Sequence, residues 1–179
     1  VYTYFKLKNE RMKKLVIIVL LFNLGNTLLA QSPYVTVKEY GNQYFLNGII
    51  TKYALSNDSN FKWYDRNFSQ YTVPAAISEA FTAAKGKVKF VVFGGTWCED
   101  TQTILPKFFK IQEAASIPDA DISFFAVDRN KKTIGGIADA FKVINVPTII
   151  VMVEGKEVGR VVEYGKTGQW DKELAAFLK

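Results

Sequence analysis

Cys98 is the residue of this sequence whose neighbours are arranged for chemistry. It stands in Phe93-Gly94-Gly95-Thr96-Trp97-Cys98-Glu99-Asp100-Thr101, where an apolar run stops at two glycines and a helical pattern begins. The first N–H groups of a helix have no intrahelical partner and carry about half a positive charge, so a sulfur placed there is favoured as thiolate over thiol. Glu99 and Asp100 bring negative charge into the same turn and oppose that effect, although acidic residues are also ordinary partners of a helix start. The junction predicts a moderately activated nucleophile rather than a small buried hydrophobe, the common alternative for a free cysteine.

Composition narrows what else the chain can do. Its 179 residues contain no histidine and one cysteine. This removes Ser-His-Asp and Cys-His relays, histidine-ligated metals, internal disulfides and cysteine-rich zinc or iron-sulfur centres. No metal site and no cofactor are expected. The formal charge of +6 comes largely from Lys6, Lys8, Arg11, Lys13 and Lys14, set against Glu10 alone. Beyond residue 30 there are eighteen basic and sixteen acidic residues, a net of +2. With no basic stripe interleaved with aromatics there, nucleic acid is not an expected partner.

The elements that must position Cys98 follow from hydrophobic period. Pro74 opens a helix carrying Ile77, Ala80, Phe81 and Ala84 and closed by Gly86. Val88 to Phe93 is apolar on both faces, as a central strand should be. The helix from Cys98 turns Ile104, Leu105, Phe108, Phe109 and Ile111 or Gln112 inward, with Pro106 inside it. Ile122 to Val127 is a second buried strand, and Ile134 to Phe141 a short helix. Pro147 to Val153 and Glu157 to Glu163 form a hairpin about Glu154-Gly155, and Trp170, Leu174 and Phe177 mark a final helix. The order implies a parallel pair with a right-handed crossover and an antiparallel edge, with helices on both faces. That is an α/β domain over 74–179, a three-layer α/β/α sandwich with a mixed central sheet.

An N-terminal extension over 31–73 precedes it. Tyr34 to Lys38 and Gln43 to Thr51 read as a hairpin. Residues 56–73 show neither a 3.6 nor a 2 period and are expected to be a long loop with one helical turn at most. Their aromatics, Phe61, Trp63, Tyr64, Phe68 and Tyr71, are read as a lid over the core, with a peptide groove as the alternative. Residues 1–30 combine an upstream extension with a signal peptide over about 12–30. Lys13 and Lys14 precede the apolar run Leu15 to Phe22, and cleavage is expected after Ala30. The run is too short for a stable membrane span. A periplasmic or secreted protein is expected. Leu28, large for its place before the cut, leaves an uncleaved membrane anchor as the alternative.

Trp97-Cys98-Glu99-Asp100-Thr101 followed by Pro106 resembles the Trp-Cys-x-x-Cys motif and helix proline of the thioredoxin family. Asn145-Val146-Pro147-Thr148 resembles its cis-proline signature, and Glu154-Gly155 and Gly165 its final hairpin glycines. The resemblance implies a thioredoxin-like fold, Cys98 as attacking thiol, a cis bond before Pro147, and a Val146 backbone that pairs with an extended peptide. It also exposes departures. Thr101 stands in place of the second cysteine, and the family's buried acid and its lysine partner align with Val92 and Phe124. What survives is the nucleophile, a Thr101 hydroxyl able to bond its thiolate, the Trp97 platform and the proline loop.

Two functions are consistent with this inventory. In one, Cys98 exchanges with protein or low-molecular-weight thiols and disulfides, an external thiol resolving the adduct. In the other, the fold is a non-catalytic peptide- or partner-binding module. A peroxide-reducing cysteine is a weaker third, with no arginine beside Cys98 in sequence.

Overall fold

The computed structural model describes residues 32–39 and 43–178. The leader expected within residues 1–30 lies outside them. The strands are β1 (Tyr34–Lys38), β2 (Tyr44–Ile50), β3 (Lys89–Gly94), β4 (Ile122–Ala126), β5 (Thr148–Val153) and β6 (Lys156–Val162). The helices are α1 (Lys52–Ser56), α2 (Trp63–Gln70), α3 (Ala75–Ala84), α4 (Glu99–Ala114), α5 (Ile137–Ala140) and α6 (Trp170–Ala176). One mixed sheet holds all six strands in the order β1-β2-β4-β3-β5-β6. β3 and β4 run parallel, joined through α4, and the other neighbours pair antiparallel.

β3 lies inside the sheet and alternates between two cores. Phe90 and Val92 join the larger, with Phe124, Ile149 and Val151 from the flanking strands and residues of α2, α3, α4 and α6. Phe93 points the other way, into a smaller core with Val127, Ala138, Val146 and Ile150. The layers are therefore unequal: five helices, α1 through Leu55 among them, contribute to the core on one face and the short Ile134–Ala140 segment to that on the other. Phe81, Phe90 and Phe108 bind the larger core together. The first two stack with centroids 5.6 Å apart, and Phe108 meets Phe90 edge-on at 5.5 Å.

The hairpin expected at residues 34–51 forms, but the long loop expected over 56–73 does not. A 3-10 turn, Ser59–Phe61, leads into α2. Trp63 and Tyr64 are buried, and Asn67 and Phe68 are half-buried, an i, i+1, i+4, i+5 face at helical period. Asn67 breaks the hydrophobic pattern because its inward amide donates to the Gln102 carbonyl at 2.9 Å. Phe61, Trp63 and Tyr64 belong to the larger core, with Phe68 and Tyr71 packed against it. They are a lid on that core. Phe177, expected inward, remains 37% exposed; it lies over Gly159, where an added Cβ would come within 2.3 Å of its ring.

Lys52 of α1 is buried, with its ammonium 3.0 Å from Gln112 Oε1, 2.9 Å from Glu113 Oε1 and 3.1 Å from Asp119 Oδ1. A buried ammonium needs such partners. Burial pushes the Asp119 carboxyl up, yet hydrogen bonds from Gln112, Lys52 and Tyr53 outweigh it and hold this group below its ordinary range.

Two predictions follow from this packing. Phe81→Ala removes a side chain with no exposure and is expected to lower unfolding free energy by about 3–5 kcal/mol in denaturant titration. A loss below about 1 kcal/mol would show that the aromatic cluster is not tightly packed. Because the folded-state carboxyl of Asp119 titrates below its unfolded value, its contribution is present above the ordinary carboxylate range and is lost as pH falls through the folded value. Asp119→Asn should destabilise at neutral pH, and its gap from the parent should shrink below about pH 4. A gap that widens on acidification contradicts the assignment.

Candidate active site

β3 leaves the sheet at Gly94, where an added Cβ would lie 2.6 Å from Leu105 and 2.9 Å from Thr101. This close approach sets α4 directly on the strand end. The turn closes with Cys98 N–H donating to the Gly95 carbonyl at 2.8 Å, and Gln102 N–H bonds to the Cys98 carbonyl at 3.0 Å. Cys98 is the N-cap residue of α4, with Glu99 and Asp100 in the first turn.

The sulfur is half-buried and borders the smaller core. Its thiol donates to the Val146 carbonyl at 3.3 Å. The Val146–Pro147 bond is cis, as the resemblance implies. Thr148 Oγ1 donates to the Asn145 carbonyl at 2.7 Å, and Glu163 N–H reaches the Pro147 carbonyl at 2.7 Å. The structure thus brings Cys98, Val146 and Pro147 together, from a strand–helix turn and a loop nearly fifty residues later.

Trp97 does not stand free. Its Nε1–H donates to the Val127 carbonyl at 3.0 Å, and its indole packs so closely on Gly95 that a Cβ there would meet the ring at 2.6 Å. The Arg129 guanidinium lies 5.2 Å from the ring centroid and the Lys131 ammonium 5.9 Å, distances at which a cation is attracted to the ring. Thr101 is fully buried, and its hydroxyl accepts from Gly95 N–H at 3.2 Å. The hydroxyl oxygen thus braces the turn, while the sulfur's own hydrogen bond goes to Val146. Glu99 is exposed and Asp100 half-buried.

Val92 and Phe124 are register partners on β3 and β4, and both are buried. The position where the family resemblance would put a carboxylate and an ammonium is a hydrocarbon contact. Among the described residues, no group of three or more carboxylate or cysteine side chains is placed to hold a metal ion.

Three residues beside the site were not singled out from sequence. Tyr164, after β6, has its phenol pushed above its ordinary range by burial chiefly, then by the Asp100 carboxylate and Cys98, against a lowering by Thr103. Arg129 and Lys131 come from the loop after β4. The available signal was topological: adjacent parallel strands deliver the loops at their C-terminal ends to one place. The aromatics Phe61, Trp63 and Tyr64, read as a lid with a peptide groove as the alternative, belong to the core, and Phe61 and Trp63 also border a surface cleft.

With this geometry in place, the relatives of the chain can be considered. A family model described as "Thioredoxin" matches residues 50–173. A thioredoxin from Staphylococcus haemolyticus is 38% identical over 79 residues, covering 43% of this chain and 69% of that protein. A thioredoxin from Staphylococcus epidermidis is 37% identical with the same coverage. Among solved structures, Fasciola hepatica thioredoxin aligns with 57% of this chain and 91% of its own at 23% identity and a TM-score of 0.39. The matched segment contains the Trp97-Cys98 turn, the cis-proline loop and every strand from β3 to β6, and the chain belongs to the thioredoxin family.

Proposed function

We propose that this protein carries out monothiol thiol–disulfide exchange through Cys98, with an external thiol completing the cycle. The observation that carries this reading is the half-buried Cys98 sulfur at the start of α4, 3.3 Å from the Val146 carbonyl of the cis-proline loop, with Thr101 where a second cysteine would act. In the first step the Cys98 thiolate attacks one sulfur of a substrate disulfide. A new S–S bond forms, the old one breaks, and the second substrate sulfur leaves as thiolate. An external thiolate then attacks the mixed disulfide, restores the Cys98 thiolate and carries the substrate sulfur away as a new disulfide. Each step is an exchange, so the protein itself gains and loses no electrons overall. Isomerisation of disulfides and removal of small thiols from proteins both fit. From the leader sequence we place the protein in the periplasm or outside the cell, with a membrane-anchored form as the alternative.

The hydrocarbon pair Val92–Phe124 favours a second reading, a partner-binding module without turnover, because no ionisable group stands there to move protons beneath the sulfur. One experiment separates the two. Reduced protein treated with 4,4′-dithiodipyridine should release one equivalent of thiopyridone, faster than free cysteine at the same pH, and Cys98→Ala should release none. Reaction no faster than free cysteine defeats the exchange reading. Partner capture that survives Cys98→Ala unchanged supports the binding module.

A further inference from the structure

A cleft of about 280 Å³ is lined in part by Thr96 and Trp97 of the turn that precedes Cys98, and its walls come from both parts of the chain. Thr96, Trp97 and Gln102 belong to the site turn and α4. Glu39, Gln43 and Tyr44 belong to the β1–β2 hairpin, before the segment that the thioredoxin family model matches. The cleft is therefore a feature that the extension adds to the family's site.

Its walls are held in place by bonds between these two parts. Leu46 N–H donates to Thr96 Oγ1 at 3.1 Å. The Arg129 guanidinium grips Glu39 with two bonds, 2.5 Å and 2.8 Å, while lying on the Trp97 ring. Tyr44 donates to Asp58 and receives Asn60 Nδ2 at 2.9 Å. A site held by such bonds does not have to be ordered when a ligand arrives.

The chemistry of the walls selects the occupant. The charged groups lining the cleft, Glu39 and Arg129, neutralise each other, so a charged ligand would have to break that pair. Asn60 Nδ2 donates to Tyr44 and Asp58, whereas Gln102 Nε2 uses one of its two N–H groups on the Thr96 carbonyl at 3.0 Å. Three carboxamides, of Asn60, Gln102 and Gln43, therefore line the cleft with neutral donors as well as acceptors. Neutral groups of both kinds beside the aromatic side chains of Tyr44, Phe61, Trp63 and Trp97 suit a ligand that donates and accepts hydrogen bonds without charge, as an amide does. At about 30 Å³ per water the cleft holds roughly nine waters, at the small end for a whole small-molecule ligand and polar where such pockets are mostly apolar. It suits one part of a longer ligand.

We propose that this cleft is a substrate-specificity subsite, built by the N-terminal hairpin, that receives a neutral amide-bearing segment of a polypeptide whose cysteine sulfur is at Cys98. The proposal rests on the thiol-exchange reading and specifies its substrate as protein rather than a small thiol.

The test uses the full chain and three thiopyridyl disulfides: that of 2-mercaptoethanol, that of a glutamine- and serine-rich heptapeptide with one central cysteine, and that of an aspartate-rich counterpart. The neutral peptide should react faster than the small probe. Gln43→Trp, which fills the cleft from an exposed hairpin position, should lower the ratio of neutral-peptide to small-probe rates by about tenfold, the equivalent of about 1.4 kcal/mol. A ratio that does not change overturns the proposal, as does a cleft-dependent preference for the aspartate-rich peptide. If the parent protein fails to react with the small probe, the exchange reading falls. The cleft is then judged by binding of the neutral peptide with serine in place of cysteine, followed by Trp97 indole N–H chemical shifts. Shifts that Gln43→Trp abolishes support the subsite, and no shifts in the parent overturn it.

Discussion

The position of the Cys98 sulfur depends on a strand that buries side chains on both of its faces. β3 is flanked on both edges and covered on both sides, so polarity cannot set its register and shape must. Phe90 fits against Phe81 and Phe108 on one face, and Phe93 against Phe125 and Phe141 on the other. A slip by one residue would send each ring into the wrong core. The same register makes Val92 the partner of both Phe124 and Ile149 and ends the strand at Gly94. There the missing side chain lets Leu105 and Thr101 of α4 close in. Everything about Cys98, its place at a helix start and its reach to Val146, follows from where this strand is forced to stop.

The N-terminal extension takes part in both packing and site. Its hairpin extends the sheet by pairing β2 with β4, and α2 closes the larger core with Trp63 and Tyr64. Polar bonds then run from the hairpin to the loops around the sulfur. Beyond Leu46 to Thr96 and Glu39 to Arg129, Asn47 receives Ile134 N–H at 2.9 Å and donates to the Lys132 carbonyl at 3.0 Å. Asn47 is itself buried, and a buried carboxamide satisfied on both sides fixes geometry more narrowly than apolar contact does. The loop carrying Arg129 and Lys131 is thereby held over Trp97.

What the sequence disclosed and what it hid divide along a physical line. Elements whose inward residues are mostly hydrocarbon were legible: β3, β4, the face of α4 and the hairpin about Gly155. α2 was not, because its inward face mixes indole, phenol, amide and benzyl groups, and Asn67 reads as polar although it points to Gln102. For Thr101 the family resemblance offered a hydroxyl able to bond the thiolate, and it gave no sign that the same oxygen accepts from Gly95 N–H. Tyr164, Arg129 and Lys131 reach the site through loops, and residue type gives no sign of which loops share an end of the sheet. The Val146–Pro147 contact was available only through family resemblance, since nothing in its composition distinguishes it from an ordinary strand entry.

A site with one sulfur faces a requirement that a two-cysteine site does not. A neighbouring thiol within the protein resolves a mixed disulfide at high effective concentration, whereas an external thiol must arrive by diffusion. On the proposed reading, the adduct at Cys98 therefore persists, and its selectivity rests on contacts away from the sulfur. The thiol's own surroundings offer few of these: the Thr101 hydroxyl faces the turn, Val92 and Phe124 are hydrocarbon, and the Trp97 indole is already pinned to Val127 and Gly95. Besides Glu99, Asp100 and Tyr164, further polar groups come from the hairpin and the loop after β4. On that reading the hairpin, which precedes the family match, and the loop after β4, which lies within it, together supply the chemical variety to distinguish one disulfide from another.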